Sequence, residues 1–416
     1  MTAARPAPSP TGTGPRSSSG LPNRLFDGWL ASGAAWQKGV TDYWTSAFRR
    51  GASPVELGVE WLEWVALTTQ TRTPAWSTPH HVRWENRVAR FRDFSGTRTP
   101  GGTKASGQSS EQVPDAVPTL LLPPQAGHSS CIVDYSPAQS QVGAMLDAGL
   151  LRLASLDWIG ASPATRDAGI EEYLATVTRA ADTLADARPG DGTDRRVNLV
   201  GDCQGGWLAV IWAALNPERV ATLTIAGAPI DYHCGEPVLW DWVQALAPDG
   251  GIANYETIVA NGGGVLPGAS MLAGFIALKP ENEIDRRLQL LSHMHDPAYV
   301  ERYREFDTWF RWTQDIPGRF YLWIVEHLFQ RNELIRGELE IGGRVVDLGA
   351  ITAPLFLLAG ATDHITPPEQ VFALAEYAGS TEVVRRVSSG GHLGLFMGHE
   401  ALREHWPPLL RAVADR

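Results

Sequence analysis

The sequence predicts an α/β fold: a mostly parallel sheet with helices on both faces, an inserted cap and an N-terminal helical extension. Three observations carry this expectation. From about residue 118 to residue 230, short apolar runs alternate with amphipathic segments of helix length, the pattern of parallel strands joined by crossover helices. From Tyr232 to about Arg344 the alternation stops, and helical and loop segments rich in aromatics replace it. It resumes with the buried run Pro354-Leu-Phe-Leu-Leu-Ala-Gly360. The expected organisation is a disordered tail over 1–23, then a helical extension with a first strand and a linker over 24–115. A first core segment over 116–231, the cap over 232–350 and a second core segment over 351–416 follow.

Taken in order, the first twenty residues are rich in Pro, Ser, Gly and Thr and read as disordered. From Arg24 to Arg49, Phe26, Trp29, Leu30, Trp36, Val40, Tyr43, Trp44, Ala47 and Phe48 recur at helical spacing. Pro54 suits a first helical turn and opens a second helix to about Leu67. Two readings of these Trp-rich helices stand: packing against the main domain or each other, or a surface for a partner or a hydrophobic granule. Val82 to Phe94 alternates as one strand, and Ser95 to Pro114 reads as a linker. In the core, Thr119–Leu122, Leu153–Asp157, the run from Val197 and Val220–Ile225 read as strands. Ser140–Leu150, Gly169–Ala185 and Leu208–Leu215 read as helices, and Arg188–Asp194 as a polar loop. After the cap come the strand from Pro354, a helix over Pro368–Ala378, a strand over Glu382–Val387 and a last helix from about Glu400 to Val413.

Chemistry concentrates in Val197-Asn-Leu-Val-Gly-Asp-Cys-Gln-Gly-Gly-Trp207. This is a strand, a tight turn and a helix, with Cys203 where the nucleophile elbow G-x-S-x-G carries its serine. Glycines flank the cysteine because the turn has no room for side chains. The helix N-terminus behind it favours a thiolate. A buried structural cysteine beside two chance glycines gives the same short motif, so the elbow needs partners. In the α/β-hydrolase fold an acid and then a histidine follow along the chain. Asp363 stands after the strand that follows the cap, and His392 in the loop Ser388-Ser-Gly-Gly-His392. His392 would take the thiol proton, and Asp363 would fix its tautomer and stabilise its charge. Two backbone N–H groups must meet the oxyanion. Gln204 supplies one by its position after the nucleophile. The loop after Thr119–Leu122, with Gly127 and His128 in Ala126-Gly-His-Ser129, supplies the other. Blander roles exist: Asp363 as a turn or cap residue, adjacent His364 as the imidazole, His392 as an exposed turn residue, His128 as a bond to its own loop. No metal-ligand spacing is visible and no cofactor is called for.

Composition bounds the reading. At 416 residues the chain exceeds one average domain, and its 44% apolar content supports a sizeable core. A net charge of −11, with Arg far outnumbering Lys, argues against a nucleic-acid surface. The three cysteines, Cys131, Cys203 and Cys234, are too few for a disulfide framework and fit a reducing compartment. No apolar run is long enough to span a bilayer and no secretory h-region is present, so a cytoplasmic location is expected.

The box Gly201-Asp-Cys-Gln-Gly-Gly206 resembles that of the polyhydroxyalkanoate synthases, where Cys replaces the lipase Ser. The resemblance extends to Ile132-Val-Asp-Tyr-Ser-Pro-Ala-Gln-Ser140, Arg331-Asn-Glu-Leu334, Gly337-Glu-Leu-Glu-Ile-Gly-Gly-Arg-Val-Val-Asp-Leu348 and Asp363-His-Ile-Thr-Pro367. A nearer likeness is to an uncharacterised bacterial branch described as 3-hydroxyalkanoate synthetase-like. It rests on Cys203-Gln-x-Gly-Trp207, Ala226-Gly-Ala-Pro229, Asp363-x-Ile-Thr-Pro-Pro368 and Gly391-His-Leu-Gly-x-Phe396. Ala126-Gly-His128, Gly227-Ala-Pro-Ile-Asp231 and Gly391-His-Leu-Gly-Leu-Phe-Met-Gly398 look more like the intracellular polyhydroxyalkanoate depolymerases. The likeness covers about residues 118 to 405. It implies a Cys203–His392–Asp363 triad and an acyl-Cys intermediate, with a 3-hydroxyacyl-coenzyme A thioester as substrate or a polyester granule as partner. Homo-oligomers and a granule surface are also implied as settings. Three functions remain open: acyl transfer of synthase type, thiol-dependent ester hydrolysis, and a non-catalytic granule protein that has kept the fold.

Overall fold

The computed structural model describes residues 21–97, 116–187, 194–235 and 237–416. The expected tail up to residue 20, most of the linker and most of the polar loop 188–194 lie outside the described residues. Eight strands form one sheet: β1 (His81–Glu85), β2 (Ala89–Asp93), β3 (Thr119–Leu122), β4 (Leu153–Trp158), β5 (Val197–Asp202), β6 (Val220–Ala226), β7 (Leu355–Gly360) and β8 (Val383–Ser388). Their spatial order is β1-β2-β4-β3-β5-β6-β7-β8. β2 runs antiparallel to both its neighbours, and the pairs from β4 to β8 are all parallel. This order with one antiparallel strand is the α/β-hydrolase fold.

Alternation within the strands explains why both faces are covered. Leu120, Leu122, Leu199, Leu223, Leu355 and Leu357 enter one core with the helices α4 (Ile170–Asp186) and α5 (Gln204–Leu215). Leu121, Val200, Phe356 and Leu358 enter the other, with α3 (Gln141–Asp147) and the C-terminal helix Trp406–Ala414. Strands buried on both faces read as continuous apolar runs, which is why they were visible in the sequence. The chain reaches β4 after β3 and crosses back to β5, so β3 and β5 are neighbours whose connections leave in opposite directions. In open α/β sheets ligands bind at the C-terminal edge of such a switch point.

Several boundaries differ from expectation for local reasons. The strand expected over Val82–Phe94 is a hairpin, because Asn86 Oδ1 accepts from the N–H groups of Val88 and Ala89 and turns the chain. The helix expected over Pro368–Ala378 is two short helices, Pro368–Phe372 and Leu374–Tyr377. The helix after Cys203 begins at Gln204, and the last helix opens with a π-helical turn over Ala401–His405.

The cap holds α6 (Val238–Leu246), α7 (Ala253–Asn261), α8 (Gly268–Leu278), α9 (Pro280–Ser292), α10 (Pro297–Arg311) and α11 (Gly318–Trp323). The helix α11 continues as a π-helical segment over Ile324–Gln330. The extension is a helical hairpin, α1 (Leu21–Arg50) and α2 (Pro54–Thr69), which begins inside the expected tail. Its N-terminal turn at α2 is a capping box between Ser53 and Glu56. The hairpin rides on the cap. A Cβ on Gly39 would collide with Leu288 of α9, so the two backbones approach closely, and Trp64 Nε1 donates to Arg287 O at 2.7 Å. The opposite face leaves Trp36, Trp44, Phe48, Val59, Trp61 and Leu62 exposed. One stripe of the hairpin therefore packs and the other does not. Among the described residues, no helix is long and apolar enough to cross a membrane.

Candidate active site

β5 ends at Asp202 and α5 begins at Gln204, so Cys203 alone makes the turn. Its φ is 49° and its ψ −117°, a region that costs a side chain about 1–3 kcal/mol. Packing holds it there. A Cβ on Gly201 would meet the backbone of Gly205 and Gly206, and one on Gly205 would collide with the Leu122 carbonyl at the end of β3. Cys203 N donates to Ala226 O at 2.8 Å, which ties the turn to β6. The residue is half-buried, whereas Cys131 is buried outright. Burial pushes the Cys131 thiol up to about 12, and burial followed by Asp231 does the same for Cys234. Neither is suited to act as a thiolate.

His392 is buried in the loop after β8, and its Nδ1 faces Asp363 Oδ2 at 2.7 Å. Asp363 Oδ1 accepts from Ile365 N and Thr366 N, each at 2.9 Å. Both carboxylate oxygens are thus engaged, and the carboxylate is aimed. Burial of His392 opposes its charged form, but the Asp363 carboxylate and then Cys203, through charge and hydrogen bonds, raise its pKa well above the usual imidazole range. The structure brings Cys203, His392 and Asp363 together. His364 lies half-buried beside them, its pKa lowered by burial and then by Lys279.

The ring of His392 stands edge-on to Phe396, with centroids 5.3 Å apart. Gly227 makes room for it, since a Cβ there would press on Leu395, Phe396 and His392 Cε1. The loop carrying His392 is clamped by Glu400. Ser389 N donates to Glu400 Oε1 at 2.9 Å, Ser389 Oγ donates to Oε2, and His405 Nε2 meets Oε1 at 3.0 Å. The Ser389 hydrogen bonds, with His405 behind them, push the Glu400 carboxyl down to about 2.

The loop after β3 lies beside the elbow, because Leu122 pairs with Gly201. Pro123 and Pro124 have no N–H to offer. Gln125 is turned inward: its Oε1 accepts from Tyr173 Oη at 2.6 Å. Gly127 has φ +80°, and its carbonyl accepts from Gln314 N at 2.8 Å. His128 stacks on Trp309 with centroids 4.9 Å apart, and its Nε2 meets Phe310 O at 3.0 Å. Its Nδ1 lies 3.3 Å from Ala126 O, so its ring does bond its own loop, and burial lowers its pKa. This imidazole is a strut between the loop and α10. Gln204, first in α5, has an N–H without an intrahelical acceptor.

The cap closes over this edge. Trp309 covers His128, Trp323 packs 6.1 Å from Trp207, and Trp309 Nε1 donates to Ser129 O at 2.9 Å. A groove of about 430 Å³ runs between Gly169, at the start of α4, and Leu322, Trp323 and Glu326 of the cap. Sequence reasoning passed over three neighbours. Tyr232 is buried, and burial and then Cys203 raise its phenol pKa. Asn332 sits at φ 50° and bonds both Asp231 and Tyr232 N, fixing the loop that carries Tyr232. Asp202 is fully buried beside the nucleophile. The only sequence signal for Tyr232 was its place just after a strand of the sheet.

The chain is similar to several known proteins. The poly(3-hydroxyalkanoate) polymerase subunit PhaC of Allochromatium vinosum is 26% identical over 309 residues, which is 74% of this chain and 83% of that protein. The protein of the same name from Haloarcula marismortui is 26% identical over 343 residues, 82% of this chain and 68% of that one. Among solved structures, the thioesterase domain from the curacin biosynthetic pathway overlaps with a TM-score of 0.45 at 13% identity, covering 81% of this chain and 99% of that domain. Relationship to the polyhydroxyalkanoate polymerases thus accompanies the α/β-hydrolase fold. A family model described as "Protein of unknown function (DUF3141)" matches residues 104–406, and the chain belongs to that family.

Proposed function

We propose that this chain is a polyhydroxyalkanoate synthase-like acyltransferase that forms an acyl-Cys intermediate from a 3-hydroxyacyl-coenzyme A. The observation that carries this reading is an elbow cysteine beside a buried His392–Asp363 pair in a chain related to named poly(3-hydroxyalkanoate) polymerases. Cys203 Sγ, as the thiolate of a thiolate–imidazolium pair, attacks the thioester carbonyl carbon, and a C–S bond forms. The carbonyl oxygen takes the negative charge, with the N–H of Gln204 and an N–H of Gly127 or His128 as donors. As the oxyanion collapses, the bond to the coenzyme A sulfur breaks, and His392 gives its proton to the leaving thiolate. His392 then takes the proton of an incoming hydroxyl, whose oxygen attacks the acyl-Cys; the ester forms and the Cys203 thiolate leaves.

Asp363 supports the imidazolium throughout. The engagement of both its oxygens favours that role over direct activation of the hydroxyl. The aromatic cover from α10 and α11 favours transfer over hydrolysis, because it limits water at the acyl-enzyme. Coenzyme A enters as part of the substrate, and no cofactor is needed. The test is incubation of the purified chain with 3-hydroxybutyryl-coenzyme A, scoring free thiol, polymer and free acid. Thiol release with polymer is the expected result. Free acid without polymer would make the chain a hydrolase, and granule binding without turnover would make it a non-catalytic granule protein.

A further inference from the structure

Asp202, the residue before the nucleophile, takes no part in the transfer described above. It lies at the end of β5 with no exposed surface. Its Oδ1 accepts from Gln141 Nε2 at 3.2 Å, and its Oδ2 has no partner among the described residues. Gln141, the first residue of α3, is equally buried, and its Oε1 also has no partner. The two orphan oxygens therefore belong to the two side chains that the single hydrogen bond already joins. A carboxylate cannot relieve Gln141 Oε1, because both groups are acceptors; a carboxylic acid can, because one oxygen becomes a donor. Protonation turns one of the two buried acceptors into a donor, whereas ionised Asp202 leaves both as acceptors without a partner. Among the groups that face Asp202, the one that favours its anion by charge is His392. Asp202 pairs with Ala226 of β6, α3 presents the neutral Gln141, the turn presents Cys203, and the loop after β8 presents His392.

We propose that Asp202 is a neutral carboxylic acid paired with Gln141, a positioning residue that keeps the floor of the nucleophile turn uncharged beneath His392. The electrostatics point the same way: burial pushes the Asp202 carboxyl up to about 8, opposed by the Gln141 hydrogen bond and by His392. The protonation stands on the buried pair alone, while its catalytic consequence rests on the acyl-transfer reading. Neutral Asp202 leaves Asp363 as the one carboxylate bonded to His392. Ionised Asp202 adds a second negative charge near the imidazolium, which then gives its proton less readily to the leaving thiolate. Stability follows the same proton. The native state holds it between the ordinary value of 3.8 and about 8, while the unfolded chain has released it, so native stability falls as pH rises through that window.

The test is the infrared difference spectrum of wild type against Asp202→Asn, titrated from about pH 6 to about pH 10. A protonated-carboxyl C=O band is expected at the acid end, absent in Asp202→Asn and lost above about pH 8. No such band, or a band that Asp202→Asn leaves in place, overturns the proposal. Should Asp202→Asn fail to fold, Gln141→Leu must shift the band by removing its partner, and an unmoved band overturns the pairing. In turnover, kcat/KM of the wild type steps down to a lower level through the transition that the band reports, and Asp202→Asn lacks that step. A band without any turnover on hydroxyacyl-coenzyme A counts against the acyl-transfer reading and not against the proton. A spectrum without the band counts against the proton whatever the turnover.

Discussion

Cys203 pays for its position with an unfavourable backbone conformation, and its neighbours hold it there through close backbone packing rather than side-chain contacts. Removing the thiol should therefore cost chemistry and little stability. Cys203→Ala is expected to lose all measurable acyl transfer while its melting midpoint stays within about 2 °C of wild type. Surviving activity in that variant, with Cys131 and Cys234 excluded, would mean that another residue is the nucleophile. Asp363 bonds His392 and two backbone N–H groups, so Asp363→Asn should lower kcat about 10³–10⁴-fold with KM little changed. His364→Gln should cost less than about tenfold, because the Asp363 oxygen that it would need is already bonded to His392. Steady-state kinetics on both variants separates the two histidines, and the reverse ranking would exchange their roles. The Asp363 carboxylate and Cys203 raise the pKa of His392, so its titration is tied to theirs. A pH profile of kcat/KM should fall on the acid side through one apparent pKa belonging to the Cys203–His392 pair.

At the scale of elements, the candidate site is built from loops, and the structure ties three of them down. The elbow is tied to β6, the loop after β3 is tied to α10 by His128 and to the segment after α10 by Gln314, and the His392 loop is tied to Glu400. Glu400 is half exposed, yet it fixes two groups of Ser389, three residues before His392. Glu400→Ala is expected to lower kcat about tenfold with a small change in melting midpoint, since the loop loses its clamp and the core loses nothing. Equal losses of kcat and midpoint in kinetic and thermal measurements would make Glu400 a stability residue instead. The short hairpin β1–β2 shows how one side chain redraws an element: an alternating run of thirteen residues looks like one strand until the Asn86 carboxamide caps the turn within it. Strand periodicity reports burial and is blind to such local bonds.

Over the whole molecule, the core and the grouping of Cys203, Asp363 and His392 were legible because the sheet is buried on both faces and each of the three follows a strand. What stayed hidden depends on pairings across long stretches of chain. Gln141 and Asp202 lie 61 positions apart, and Trp64 meets Arg287 across 223. The stripe of α1 that packs on α9 was readable as apolar, but the identity of its partner was not, because periodicity names a buried face and not what buries it. For the same reason the two Trp-rich helices could not be assigned to the cap. The account as a whole claims that Cys203 carries an acyl group between coenzyme A and a hydroxyl. The most direct measurement is mass spectrometry of the chain quenched in acid soon after mixing with 3-hydroxybutyryl-coenzyme A, followed by peptide mapping. The account predicts one hydroxyacyl group on the peptide containing Cys203, and none in Cys203→Ala. Release of coenzyme A with no acyl group on Cys203, or with the group on Cys131 or Cys234, would contradict it.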